Sequence, residues 1–351
     1  MVHAHRDRRG VGVHRHARGK EGQQARADHR DDQGQQAAAA ARAGLLTAVP
    51  DATSVLLAGP WSHRDYSANG VRLHVAELGE GPLILLLHGF PEFWWAWRAQ
   101  IAPLAGAGYR VVAADLRGYG ASDKPPRGYD AVTAAADVAG LIRALGERDA
   151  FVVGHAWGGL LAWSAAALHP SAVRKLAVLS MPHPRRLRAA VLGSRRQFRA
   201  AGPVLGYQLP RIPERRLTAH QARYVDRLLH AWSGPAWRDT ADFAGAVRRY
   251  REAIQIPQAA YGAMEYVRWA VRSLPRADGR RYIRAMSVPV TPPTLQLHGA
   301  MDPFLLPASA IGSGRYVAGR YRWQLLPDVG HFPHEEQPDL VTRELLDWAR
   351  S

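Results

Sequence analysis

The fold is decided at Val152-Val153-Gly154-His155-Ala156-Trp157-Gly158-Gly159. Short apolar residues lead into this stretch from Phe151, and Leu160, Leu161, Ala162, Ala165 and Ala166 lead out of it in a small-residue helical pattern. A strand that turns sharply into a helix, with glycines on both sides of one exposed residue, has the geometry of a nucleophile elbow. The glycines are required because the turn is strained and the helix passes close to neighbouring strands. The exposed position ordinarily carries an oxygen or sulfur atom. Here it is Ala156, which has neither.

Working outward, the turn belongs to a repeating pattern. Residues 83–87, Leu-Ile-Leu-Leu-Leu, form a continuous apolar run typical of a strand buried on both faces. Strands are also predicted at 71–75, 110–114, 150–153 and 175–179, with helices over 93–104 and 129–145. Buried strands alternating with helices predict an α/β fold built on a mostly parallel sheet. The rhythm stops over 185–285, which is helical, arginine-rich and broken by prolines. It resumes with strands at 294–298 and 321–326 and a closing helix over 338–349. A helical block inserted between two sheet strands reads as a lid over the strand ends, where open α/β sheets bind ligands. The predicted organisation is a core over 59–184, a lid over 185–285, and the rest of the core over 286–351. Residues 1–58 read as a disordered tail. They hold few large apolar residues to offset the entropy of ordering, and the early histidines, such as His3 and His5, read as part of it rather than as metal ligands.

Composition narrows the function classes. Of 351 residues 47% are hydrophobic, enough for a sizeable core. No apolar run approaches the roughly 18–20 residues that span a bilayer. Without cysteine there is no disulfide or thiolate chemistry. The start of the chain lacks the apolar centre of a secretory signal, so the cytoplasm is the expected location. The net charge of +16 is nearly all arginine, lysine occurring only at Lys20, Lys124 and Lys175. No basic stretch interleaves with a stacking platform, so the expected partner is a hydrophobic small molecule rather than nucleic acid.

Three features fall at the carboxyl ends of predicted strands: the elbow, Asp302 in Gly299-Ala300-Met301-Asp302-Pro303, and His331 in Val329-Gly330-His331-Phe332. Histidine has the pKa suited to proton transfer near neutrality, and a carboxylate fixes its tautomer and steadies its charged form. The order elbow, acid, histidine is that of an α/β-hydrolase.

From about residue 61 onward the chain resembles the epoxide hydrolases of the α/β-hydrolase superfamily, which also includes the haloalkane dehalogenases. The resemblance is carried by His88-Gly89-Phe90-Pro91-Glu92-Phe93-Trp94, Arg117-Gly118-Tyr119-Gly120-Ala121-Ser122-Asp123-Lys124-Pro125, the elbow, Met181-Pro182-His183-Pro184 and Gly330-His331-Phe332. It implies an aspartate nucleophile at the elbow, lid tyrosines that hydrogen-bond the departing oxygen, and water activated by a histidine–aspartate pair. On that pattern Asp302 orients His331, and the backbone N–H groups of Phe90 and Trp157 form the oxyanion hole. Tyr250 corresponds to one ring-opening tyrosine. His88, Trp94 and Tyr207 are assigned to the substrate pocket, with Trp157 beside them; Trp95 reads equally as a pocket residue or as simple core packing. No cofactor or metal is implied. Two positions depart from the pattern: Ala156 replaces the nucleophile, and Pro203 stands where the second tyrosine is expected, with Tyr207 nearby but out of register. Two functions follow. One is a hydrolase of a small hydrophobic substrate that uses His331 and Asp302 without a covalent step; the other is a binding protein that uses the lidded pocket without turnover.

Overall fold

In the run Leu83–Leu87 every residue is buried, and this strand, β3, lies inside the sheet with a neighbour on each edge. The computed structural model describes residues 49–351. It contains β1 (Ser62–Ala68), β2 (Val71–Leu78), β3, β4 (Arg110–Ala114), β5 (Ala150–His155), β6 (Val173–Leu179), β7 (Thr294–Gly299) and β8 (Tyr321–Leu326), ordered β1-β2-β4-β3-β5-β6-β7-β8. β1 and β2 pair antiparallel, β2 pairs antiparallel with β4, and the remaining pairs are parallel. The α/β class expected from the alternation is therefore the one found. β1 was not anticipated: its side chains are largely exposed or half-buried, so it carries little apolar signal.

Strands buried on both faces require helices on both. Helix Ala131–Ala144 packs on helix Ala156–Leu168, and helix Arg98–Gly106 packs on the closing helix Pro338–Arg350. Leu83 to Leu87 are at most 1% exposed, and each such leucine contributes about 1.5–3 kcal/mol by leaving water.

Between β6 and β7 the chain forms only helices, from Pro184–Gly193 to Ala277–Ala285. The longest, Ile212–Trp232, is interrupted at Ala219, His220, Gln221 and Ala222, the last three with left-handed backbone. The residues assigned to the tail before 49 lie outside the described residues. Those from Pro50 onward do not behave as a tail. Asp51 caps the short helix Ala52–Val55, Val55 is buried, and its carbonyl accepts a hydrogen bond from Trp94 Nε1 at 2.8 Å. Residues 50–58 are thus ordered where composition suggests a tail, because the anchoring contact is with a residue far along the chain. No helix among the described residues is long and apolar enough to cross a membrane.

Candidate active site

β5 ends at His155, and the helix Ala156–Leu168 begins at the next residue with Ala156 at φ +46°. This is left-handed backbone, which a non-glycine residue adopts at a cost. The glycines explain themselves by contact. A Cβ on Gly154 would lie 2.2 Å from the carbonyl oxygen of Gly158, and one on Gly158 would lie 2.2 Å from that of Leu87. The elbow geometry is therefore intact around the alanine.

Helix starts leave their first N–H groups unpaired. Gly158 N–H is taken by the His88 carbonyl at 3.0 Å, but Trp157 N–H and Phe90 N–H make no hydrogen bond among the described residues. Phe90, Ala156 and Trp157 all line a cavity of about 310 Å³ between the strand ends and the lid. His331 lines it too, as do Met181, Trp232 and Phe304.

His331 Nδ1 is 2.7 Å from Asp302 Oδ2. Asp302 Oδ1 accepts from the N–H groups of Phe304 and Leu305, both at 2.9 Å. Burial alone would raise the Asp302 pKa, but the charge of His331, its hydrogen bond and His298 outweigh it and hold the carboxyl below its ordinary value. The imidazole of His331 is fixed by packing as well. The Trp232 and Phe304 rings stack 4.4 Å apart, and each meets His331 edge-on. These two aromatic partners come from the lid and from the loop after β7, and sequence reading missed both.

Beneath this pair lies a second buried group that the sequence did not announce. His155 Nδ1 is 2.8 Å from Glu92 Oε2, which also accepts Gly89 N–H at 2.7 Å, and His155 Nε2 is 2.7 Å from the His331 carbonyl. The loop carrying Phe90, the elbow and the histidine loop are thus tied together. His334 adds a third member, its Nε2 3.3 Å from Glu92 Oε1. Burial raises the Glu92 carboxyl, but the two imidazoles outweigh burial and hold it well below its ordinary value; burial pushes His334 down to about 4. Glu92, His155 and His334 have potential ligand atoms within 4.8 Å of one another. All three are at most 1% exposed; Glu92 Oε2 holds the Gly89 N–H and the His155 imidazole, so Glu92 and His155 form a hydrogen-bonded brace, and His334 meets Glu92 Oε1 by charge and proximity without a hydrogen bond.

Three site assignments need correction. Tyr250 does not line the cavity: it is fully buried among Phe93, Trp95 and Arg98, and its hydroxyl donates to Glu335 Oε1. Arg98 bridges the same Glu335 at 2.6 Å and Asp242 at 2.6 Å, so Tyr250 belongs to a contact that fastens the lid to the core. Trp94 is likewise off the cavity, with its indole N–H on Val55 and its ring against Trp61; Trp95 is occupied by the Arg98 guanidinium, 3.8 Å over its ring. His88 lies under the loop, with Nδ1 at 2.7 Å from the Gly89 carbonyl and Nε2 accepting Leu116 N–H at 3.1 Å. Tyr207 does line the cavity, but its hydroxyl is 2.7 Å from that of Tyr224. The lid helix Ala259–Arg272 presents Val267 to the cavity, while neighbouring Tyr266 turns away and donates to the Arg117 carbonyl at 3.1 Å. Tyr282, also on the wall, is 2.9 Å from Ser164 Oγ. Both tyrosine hydroxyls on the wall already have protein partners.

Residues 82–338 match the family model described as alpha/beta hydrolase fold. The chain is similar to the AB hydrolase superfamily protein YfhM of Bacillus subtilis, 34% identical over 81% of this chain and 96% of that protein. It is similar to epoxide hydrolase A of Mycobacterium tuberculosis, 31% identical over 83% of this chain and 98% of that protein. Among solved structures it resembles epoxide hydrolase A from Mycobacterium thermoresistibile, with a TM-score of 0.69 and 31% identity over 83% of this chain and 98% of that one. With the fold, the elbow and the family match in agreement, the chain belongs to the α/β-hydrolase family, among its members of the epoxide-hydrolase type, and carries alanine at the nucleophile position.

Proposed function

We propose that this protein hydrolyses a small hydrophobic substrate by direct attack of water, with His331 as the base and no covalent intermediate. The observation that carries this reading is the His331–Asp302 pair on the wall of an apolar cavity that also holds the Phe90 and Trp157 loops. Nδ1 of His331 is engaged by Asp302, so Nε2 is the nitrogen left for a bound water. It takes a proton as the water oxygen attacks. The negative charge that develops on the substrate oxygen is received by the N–H groups of Phe90 and Trp157, which belong to the backbone and do not depend on the side chain at position 156. His331 then returns the proton to the leaving oxygen. Two backbone donors suit the oxyanion of an ester carbonyl. An epoxide would in addition need a wall hydroxyl with a proton to give the opening ring: the Tyr282 proton goes to Ser164 Oγ, whose own proton goes to the Leu160 carbonyl, and Tyr207 has one to give only when Tyr224 is the donor of their pair.

That engagement favours a second reading, in which the cavity binds a hydrophobic ligand without turning it over. The two are separated by assaying the chain as given, His331→Ala and Ala156→Asp on panels of hydrophobic epoxides and esters. Turnover above buffer that disappears in His331→Ala supports hydrolysis by water. Equal rates with and without His331 would sink it, and ligand-dependent thermal stabilisation with no turnover would establish the binding protein. Epoxide hydrolysis gained only in Ala156→Asp would mean that the site lacks nothing but its nucleophile.

A further inference from the structure

The lid segment 184–212 meets two different surroundings. On its inner side Leu187, Val191, Val204 and Tyr207 line the apolar cavity. On its outer side Leu192, Phe198, Leu205, Leu209 and Ile212 are between 49% and 74% exposed. Isolated exposed hydrophobic residues need no explanation, but five large ones within 192–212 do.

The same segment carries charge of one sign. From residue 150 to residue 213 there is no aspartate or glutamate, while Arg185, Arg188, Arg195, Arg196, Arg199 and Arg211 fall between 184 and 212. None of these six forms an ion pair among the described residues; the salt bridges of this region begin at Glu214, which pairs with Arg268. Arg186 donates to the carbonyls of Ile311 and Ala308, partners that leave its charge uncompensated. Arg188 and Leu192 border the cavity as well, as does Leu274 from a neighbouring lid turn, 44% exposed. The rim of the cavity therefore opens within a basic, apolar surface.

An occupant of this surface must accept apolar side chains and supply negative charge. A second copy brings a net charge of +16 and the same one-signed segment, so the two repel. An acidic protein could supply the charge, but only with hollows matched to residues on several separate short helices. An anionic lipid surface supplies both, with no demand on shape. We propose that segment 184–212 docks on an anionic lipid surface, with Leu192 and Phe198 at the headgroup–acyl boundary. The cavity rim then faces the bilayer, and a lipophilic ligand passes from lipid to cavity without crossing water. The ligand transfer rests on the cavity reading above; the docking does not.

The test is co-sedimentation of the full chain with vesicles of equal parts phosphatidylcholine and phosphatidylglycerol, and with phosphatidylcholine alone. Retention is expected on the mixed vesicles, about tenfold or more above that on the neutral ones, and falling as salt is raised. Phe198→Asp with Leu209→Asp, and separately Arg195→Glu with Arg196→Glu and Arg199→Glu, should each lower it about tenfold or more. Neither set touches the cavity lining, so melting temperature and uptake of an apolar fluorescent dye should stay as they were. No retention, equal retention on both vesicle types, or retention unmoved by either set overturns the docking. So does binding to immobilised polyglutamate without vesicle binding, which assigns the surface to an acidic protein. Concentration-dependent dimerisation lost in Phe198→Asp with Leu209→Asp, again without vesicle binding, assigns it to a second copy. Vesicle binding without dye uptake keeps the docking and removes the cavity reading.

Discussion

Two histidine–carboxylate pairs lie close together in this protein, their imidazole centroids 5.1 Å apart, and they serve different ends. His331 is paired with Asp302 at 2.7 Å and His155 with Glu92 at 2.8 Å, each through Nδ1, and all four residues are at most 2% exposed. What separates them is the other ring nitrogen. His155 Nε2 is held by the His331 carbonyl, so that pair ends inside the protein. His331 lines the cavity, and its Nε2 makes no hydrogen bond among the described residues. On the proposed mechanism, the same pair of side chains is a brace or a base depending on what the second nitrogen meets.

Breaking the brace should have the largest effect. Glu92→Ala strands a buried imidazole, leaves Gly89 N–H without its acceptor and removes the partner of His334. Loss of one member of such a pair costs about 3–5 kcal/mol, read from the urea midpoint. A loss under about 1 kcal/mol would mean that water replaces the carboxylate and that the pair is no brace.

A third buried carboxylate sharpens the contrast by having the opposite sign of pH dependence. Glu92 and Asp302 are held below their ordinary values by their histidines despite burial, so their contribution is present above the unfolded-state pKa and is lost as pH falls. Glu335, under Tyr250 and Arg98, is raised by burial from 4.5 to about 7, with Arg98 opposing the shift. Its folded state holds a proton that the unfolded chain has released, so this contribution is full below 4.5 and declines as pH rises to about 7. Glu335→Gln should flatten that part of the stability curve, by up to about 3 kcal/mol between its ends. Unfolding in urea at a series of pH values checks it; parallel curves for the two proteins would show that Glu335 is ionised throughout.

Removing the His331 imidazole should disturb the fold less than removing the Glu92 carboxylate. In His331→Gln, Asp302 keeps the N–H groups of Phe304 and Leu305, so no carboxylate is left without donors. The expected loss is about 1–2 kcal/mol in the urea midpoint, with hydrolysis reduced to the buffer rate. If His331→Gln and Glu92→Ala cost the same stability, the distinction between base and brace fails.

These pairs also mark how much could be read before the fold was known. The elbow, Asp302 and His331 were legible because each sits in a short motif whose geometry is local: a glycine contact, or a loop immediately after a strand. The strand at 83–87 was legible because uniform burial leaves an unbroken apolar run, and that at 110–114 because the four residues after Arg110 are buried and apolar. Tyr250 was expected at the opening ring and Trp94 and His88 in the pocket, and none of the three lines the cavity, because which way a side chain points is settled by distant partners. For Tyr250 the partner is Glu335, for Trp94 it is Val55, and for His88 it is the Leu116 N–H. Val267 and Tyr266 show the limit most clearly: one residue of register decides which of them faces the cavity.

The smallest expected effect concerns Ala156 itself, which joins the two histidine systems. Its φ of +46° costs a residue with a Cβ about 1–2 kcal/mol relative to glycine. Against that, glycine gives the unfolded chain more freedom, worth about 0.5–1 kcal/mol. Ala156→Gly should therefore stabilise the protein by about 0.5 kcal/mol, the small balance of two larger quantities. Because Ala156 supplies no reacting atom, turnover dependent on His331 should be unchanged. A variant less stable than the parent would mean that the elbow is relaxed as it stands. A variant equally stable but slower would mean that the methyl group shapes the water site in front of His331, and position 156 would then take part through its volume.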